Sequence, residues 1–402
     1  MTPYREIEEH VLESVVTKPK RRGPFVVALL ALAVLLVSAC GPTHIDPRWS
    51  SVSLVNDDQI MLAFGDRLAL VNAIDGKPVS LLDADGNVRL DEQGNARIWE
   101  VRGTGNGQTR FYNSPVILDG DLLLAPSYDM KLLEVDVPVA RSDSGGVTLD
   151  QHLVSSPLVT DDLIYQGLGD HDLVALSPNG YSEVWRVTTA HGIWSTPLLV
   201  EDTLYFASMD HFLYAADAAT GELKWKTDLR GAMTSTPVYA DGHLYIGNFA
   251  KRVFDVSAET GEILGEVETA DWVWSTPALV DGTLYVADVG GNVYAYSTGD
   301  GLSQLWTAKP ATRSIASTPL VTESAIIVGS RDQNVYWLDP ENGSVIYTLQ
   351  TAGEVMADPI LVTPSETNNL QEPLVIVSTT AQQELLVAFT LERGQRVWVY
   401  GR

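Results

Sequence analysis

A Ser/Thr-Pro step recurs along this chain at intervals of 40 or 42 residues, at Ser114-Pro115, Ser156-Pro157, Thr196-Pro197, Thr236-Pro237, Thr276-Pro277 and Thr318-Pro319. A weakened copy follows at Asp358-Pro359, and Ser51-Val52 in WSSVSLV reads as an eighth copy, at the front, that has lost its proline. Between anchors each copy holds four short apolar-alternating runs separated by turn residues. In the copy that starts at Ser195 the first run opens at Pro197, at a strand's first residue, where a missing N–H costs least. Thr203 to Ser208, Phe212 to Asp217 and Glu222 to Asp228 supply the other three, with Thr220-Gly221 as a turn. A period of this length with four strands per copy predicts an all-β fold, an eight-bladed β-propeller of four-stranded antiparallel blades over residues 49–402.

The turn before the fourth strand recurs as Asp75-Gly76, Asn179-Gly180, Thr260-Gly261, Thr298-Gly299, Asn342-Gly343 and Arg393-Gly394. An aromatic follows at a near-constant distance in most copies: Trp185, Trp225, Trp306, Tyr347 and Trp398, with Trp99 following Gly94 after an insertion in the first copy and Gly265 taking the place in the fifth. A wide ring at a fixed phase of the outer strand suits the wedge that opens between blades with distance from the axis, so these aromatics are assigned to packing. The first copy carries an extra segment, about Pro78 to Asn95, which reads as a surface hairpin. Asp66, Asp129, Asp170, Asp210 and Asp332 share one turn position, where each is expected to accept N–H groups within its own turn.

Ahead of the repeats, Lys18, Lys20, Arg21 and Arg22 precede an apolar run from Phe25 to Ala39 that ends in Val37-Ser38-Ala39-Cys40-Gly41. That run is short for a bilayer span, which needs about 20 residues, and suits the apolar core of a signal peptide. Its end resembles a bacterial lipobox, with Cys40 as the lipidated residue. Residues 1–40 are therefore expected to be a polar leader with a lipoprotein signal peptide or signal anchor, and residues 41–48 a tether. The body would then sit on the outer side of a bacterial membrane, periplasmic or extracellular. Cys40 is the single cysteine of the chain, which excludes an intramolecular disulfide and a cysteine-based metal centre. The net charge of −26 sets the chain against nucleic acid as a partner.

In an up-and-down meander the connections between blades share a face with the loops joining second and third strands. The inter-blade segments are rich in large side chains: Arg110, Tyr112, His152, His191, Trp194, Arg230, Trp272, Trp274, Arg313 and Glu354. These are the candidate partner-binding residues, since aromatics and Arg dominate binding hot spots; as an alternative they plug the funnel of the ring. His152, His171, His191 and His211 fall on the same face and are weak metal candidates. A shared ion would need three or four of them within about 2.1 Å of it, and repeat geometry sets them at different radii. No catalytic motif stands out.

The unit, in which a strand such as LYFAS is followed by LYAAD and TGELKW, resembles the quinoprotein-type (PQQ-type) propeller repeat from about Trp49 to the C-terminus. Two branches of that family matter. The PQQ-dependent dehydrogenases are larger, many carry an adjacent-cysteine disulfide that Cys40 alone cannot form, and their Ca²⁺ ligands match no motif here. The exported propeller lipoproteins similar to BamB fit the length, the lipobox and the eight copies. The resemblance implies a monomeric, membrane-anchored scaffold that binds proteins of the cell envelope, without enzymatic activity or cofactor. The alternatives are a quinone- or small-ligand-binding propeller (enzyme or sensor) and an envelope carbohydrate-binding protein.

Overall fold

The computed structural model describes residues 50–401, except 84, 104–109, 120–121, 139, 141–144 and 300. Thirty-two strands form eight four-stranded antiparallel sheets, each hydrogen-bonded in chain order. This is the expected eight-bladed propeller. In the fourth blade the strands are Leu198–Val200, Thr203–Ala207, Phe212–Asp217 and Leu223–Asp228, running from the axis to the rim. The expectations at Cys40, the leader, the tether and Trp49 lie outside the described residues.

The core lies between blades rather than within them. Each of eight apolar clusters draws its residues from two neighbouring blades, including one from the last blade and the first. Strand alternation produces this. Leu204 and Phe206 point into the joint with the third blade, while Tyr205 and Ala207 point into the joint with the fifth. Both faces of the middle strands are therefore apolar, and no blade can bury itself alone.

At the rim the joints are locked by the aromatics. The indole Nε1 of Trp185 donates to Ala218 O at 3.1 Å, that of Trp225 to Ala258 O at 3.1 Å, and that of Trp306 to Pro340 O at 3.0 Å. Trp99 bonds Val137 O in the same way, and the Tyr347 hydroxyl bonds Glu392 O. Each acceptor belongs to the last turn of the next blade. The turn glycine lies against the ring: a Cβ on Gly221, at φ +72°, would stand 2.7 Å from the Trp185 ring. Trp398 Nε1 donates to Ala73 O at 3.1 Å, so the last blade meets the first through the same joint. Both terminal blades own four consecutive strands, and the ring closes without strand exchange.

The joint between the fifth and sixth blades is a polar exception. In four other blades an alanine pairs with the indole across strands, as Ala215 does with Trp225; here Asp255 pairs with Gly265. Asp255 is fully buried and accepts a bond from His243 Nδ1 at 2.8 Å.

At the axis the Ser-Ser/Thr-Pro anchors divide the work. The first hydroxyl bonds back to its own second strand: Ser155 to Gly167 O, Ser195 to Ala207 O and Ser317 to Gly329 O. The second residue reaches a neighbouring blade. Ser114 Oγ donates to Ser51 Oγ at 3.1 Å, Ser156 Oγ to Ser114 O at 3.1 Å, and Thr236 Oγ1 to Thr196 O at 2.9 Å. Where the last anchor has Asp358, its Oδ1 accepts the Thr318 N–H at 2.6 Å.

The insertion of the first blade is not a simple hairpin. Bridges Leu82–Val88 and Leu90–Ala96 mark two successive loops, each closed by the same aspartate motif, in which Asp83 accepts the Asn87 N–H and Asp91 the Asn95 N–H. The eight-residue echo LDADGNVR–LDEQGNAR makes a two-lobed projection instead.

Replacing Gly221 with Ala should cost about 1–3 kcal/mol, because a left-handed backbone then carries a Cβ that meets an indole. Trp185→Phe, which keeps a ring but loses the N–H, should cost about 1 kcal/mol. Urea denaturation checks both, and a G221A midpoint equal to wild type would contradict the joint described here.

Candidate functional site

The face that carries the inter-blade connections is bound together by its backbone. In the second-to-third-strand loops of the second to eighth blades one residue donates its N–H to the connection entering the blade: Tyr128 to Arg110 O, Gly169 to His152 O, Met209 to Gly192 O, Phe249 to Ala232 O, Val289 to Trp272 O, Arg331 to Ser314 O and Thr380 to Glu354 O. The outgoing connection bonds back to the same loop, as Ile193 does to Leu168 O and Val355 to Ser330 O. The main chain at this repeat position is fixed while its side chain varies freely, from glycine to tyrosine to arginine.

The shared aspartates strengthen the same belt, in addition to the bonds expected within their own turns. Asp210 accepts the Phe212 N–H within its turn, but its Oδ2 also accepts the Ala190 N–H of the connection at 2.9 Å and the Tyr214 hydroxyl at 2.7 Å. Asp332 treats the Thr312 N–H and the Tyr336 hydroxyl alike, both at 2.8 Å. Burial opposes ionisation of Asp332, yet these donors hold its carboxyl below the usual value. Burial and the Asp210 carboxylate push the Tyr214 hydroxyl well up.

The ten residues singled out in the sequence fall into separate groups around this face. Between the second and third blades Tyr112 meets Tyr128 edge-on at 5.3 Å, and Tyr128 stacks on His152 at 4.2 Å. Trp194 donates its Nε1 to Gly169 O at 3.1 Å, and the neighbouring His191 is exposed. Between the fifth and sixth blades Phe249 is stacked on both Trp272, at 5.5 Å, and Trp274, at 5.2 Å. Between the seventh and eighth, Glu354 takes Arg313 Nη1 at 2.7 Å and Arg331 Nε at 2.9 Å. Arg230 is ion-paired with Glu266 and lies over the Phe254 ring. Arg110 contributes its carbonyl to the belt.

Sequence reasoning missed Tyr128, Phe249 and Arg331, which complete these groups. The signal was present for two of them: Tyr128 and Arg331 each stand one residue before the shared turn aspartate. It failed for Phe249, whose turn has Ala250 at that place.

The four histidines are engaged apart from one another. His152 Nδ1 bonds Tyr128 O, His171 Nδ1 lies 2.9 Å from Asp172 and 3.0 Å from Gln151 Nε2, and the exposed His211 sits at a left-handed turn position, φ +81°. Among the described residues no group of three or more His, Cys, Asp or Glu is arranged to hold a metal ion.

Glu354 gives this face a pH dependence. Burial alone would raise its carboxyl, but hydrogen bonds and charge from Arg331 and Arg313 hold it below the ordinary value. A carboxyl lowered by folding stabilises the fold above its unfolded value, about 4.3, and ceases to do so as pH falls through the folded value. Glu354→Gln should therefore lower the melting temperature at pH 7 and flatten the loss of stability below about pH 4.3. An acid limb identical to wild type would contradict this role.

The family described as outer membrane protein assembly factor BamB, of PQQ-type repeats, matches residues 169–268 and 250–401. Among curated proteins, the serine/threonine-protein kinase/endoribonuclease IRE1a of Arabidopsis thaliana is 31% identical over 108 residues, 27% of this chain. The match spans only 12% of that protein. Among solved structures, BamB from Moraxella catarrhalis superposes with a TM-score of 0.58 at 16% identity, covering 86% of this chain and 94% of that one. Sqt1 of Saccharomyces cerevisiae gives 0.66 at 13% identity over 84% and 95%. The computationally designed Ika8 protein gives 0.60 at 12% over 72% and 86%. At these identities the structural likeness is one of fold alone.

Proposed function

This chain belongs to the family of outer membrane protein assembly factor BamB, and from that premise we propose that it is a non-enzymatic scaffold of the bacterial cell envelope. In this reading residues 1–40 direct export, Cys40 is lipidated and holds the protein to the outer side of a membrane, residues 41–48 are the tether, and the propeller of residues 49–402 binds other envelope proteins. The observation that carries it is the belt on the connection face. A rigid backbone there displays a different side chain from every blade, which is the design of a protein-binding surface rather than of a reaction centre.

The contact residues proposed are Arg110, Tyr112, His152, His191, Trp194, Arg230, Trp272, Trp274, Arg313 and Glu354, joined by Tyr128, Phe249 and Arg331. The aromatic groups of the second and fifth blades offer apolar contact area. Arg230, Arg313 and Arg331 are already matched by Glu266 and Glu354, so they orient a partner through directional hydrogen bonds more than through net charge.

Two measurements test this reading. Mass spectrometry of the mature protein should find residue 40 at the N-terminus carrying acyl chains; an intact leader with unmodified Cys40 would contradict lipidation. Crosslinking in native membranes should capture an envelope protein whose yield falls roughly tenfold or more, equal to about 1.4 kcal/mol, in the combined variant Trp194→Ala, Trp274→Ala, Arg313→Ala. Asp202→Ala on the opposite face should leave the yield unchanged. Equal capture by all three proteins would defeat the assignment of the face.

A further inference from the structure

The axial ring is uniform in chemistry except at one place. Seven blades put a hydroxyl at the residue that follows the first anchor serine or its equivalent: Ser51, Ser114, Ser156, Thr196, Thr236, Thr276 and Thr318. The eighth puts Asp358 there. Neighbouring members of this ring are hydrogen-bonded across blades, so they stand where the blades approach one another most closely, around the central channel. Each also sits just where a connection enters its innermost strand. The ring therefore borders the channel on the same face as the belt.

Asp358 is open to solvent, and its place in the ring sets that opening at the channel. Among the described residues its carboxylate is met by Thr318 alone, whose N–H donates at 2.6 Å, and no Lys, Arg or His pairs with it. It is a carboxylate without a counter-charge at a position where the other blades carry a neutral hydroxyl. Nothing in the packing of the inner strands calls for one, since Thr serves the same position in four other blades.

We propose that Asp358 and the adjoining hydroxyls form a receptor for one primary ammonium group, presented as a lysine side chain by the protein that docks on the connection face. The donor set selects the ligand. One carboxylate supplies a single negative charge, and the hydroxyls of Thr318 and Ser51 on either side in the ring supply neutral oxygen acceptors. An ammonium offers three N–H donors and one positive charge, which matches that set. A multivalent metal ion would call for more acidic ligands than one carboxylate, and no group of three or more His, Cys, Asp or Glu gathers there among the described residues. The acidic body, net −26, adds long-range attraction for a cationic group at the mouth of the channel.

The idea rests on the connection face being the docking surface, but its chemistry can be read without any partner. The probe is n-butylammonium, compared with tetramethylammonium at equal ionic strength by saturation-transfer NMR on the full chain. Tetramethylammonium has the same charge and no N–H. The expected result is saturable binding of n-butylammonium, with tetramethylammonium and the Asp358→Thr variant each weaker by roughly tenfold or more, a difference of about 1.4 kcal/mol. Asp358→Asn, isosteric and uncharged, gives the same reading should the threonine variant fold poorly. Equal binding of the two cations, or n-butylammonium binding that survives both substitutions, would reduce the effect to counter-ions around an acidic protein and overturn the receptor. Loss of partner capture with n-butylammonium binding intact would instead fault the docking face and leave the ammonium site standing.

Discussion

Everything in this molecule depends on the contact between one blade and the next. The second and third strands of a blade are apolar on both faces, so a single blade exposes as much core as it hides. Burial is completed only when a neighbour arrives on each side, and a chain of such units has no stable end unless it closes. Closure occurs through the joint that Trp185, Trp225 and Trp306 also make, an outer-strand indole bonded to a carbonyl in the next blade's last turn, here Trp398 to Ala73. The joint is directional as well as apolar. The apolar clusters supply the driving force, while the N–H donor and the left-handed glycine fix the angle at which blades meet.

That division leaves the rest of the repeat with different freedoms. At the axis the anchors are held to small hydroxyl residues because their side chains must bond within and between blades in little space. At the rim, the turns must hold glycine where a ring lies against them. On the connection face only the backbone is constrained, so Tyr128, Met209, Phe249, Val289 and Arg331 can follow one another at equivalent positions without cost to the ring. A binding surface on this fold can thus be rewritten residue by residue while the scaffold persists. Asp358 is the counter-example. It departs from the repeat at a position where the scaffold does constrain the residue type, and a departure there asks for a reason outside packing.

Much of the fold was legible in the sequence because it is carried by period. The spacing of Ser/Thr-Pro steps marked the blades, runs such as Thr203 to Ser208 marked the strands, and the phase of Trp185, Trp225 and Trp398 marked the joints. The site was legible only in part. Period shows which residues share a face, but not how far apart they stand, so Tyr112 and Trp274 looked like members of one platform although each belongs to its own aromatic group. Nor does it reveal ion pairs between distant residues such as Arg313 and Glu354, or the reach of Asp210 to a backbone N–H in the preceding connection. The insertion of the first blade looked like a hairpin because its internal eight-residue echo was not weighed; two Asp-to-Asn loops in succession require two turns, not one.

The central claim is that eight blade-to-blade joints, the polar one included, close a ring. Hydrogen–deuterium exchange of the full chain tests it directly, read at the second and third strands of every blade. A closed ring predicts that amides of Gln59–Phe64 in the first blade and Leu374–Ala381 in the last are protected as strongly as those of Thr203–Ala207 and His243–Asn248 in the middle, all opening in one cooperative step. Terminal blades that exchange first, with protection rising toward the centre of the chain, would mean an open array, and the closure described here would be wrong.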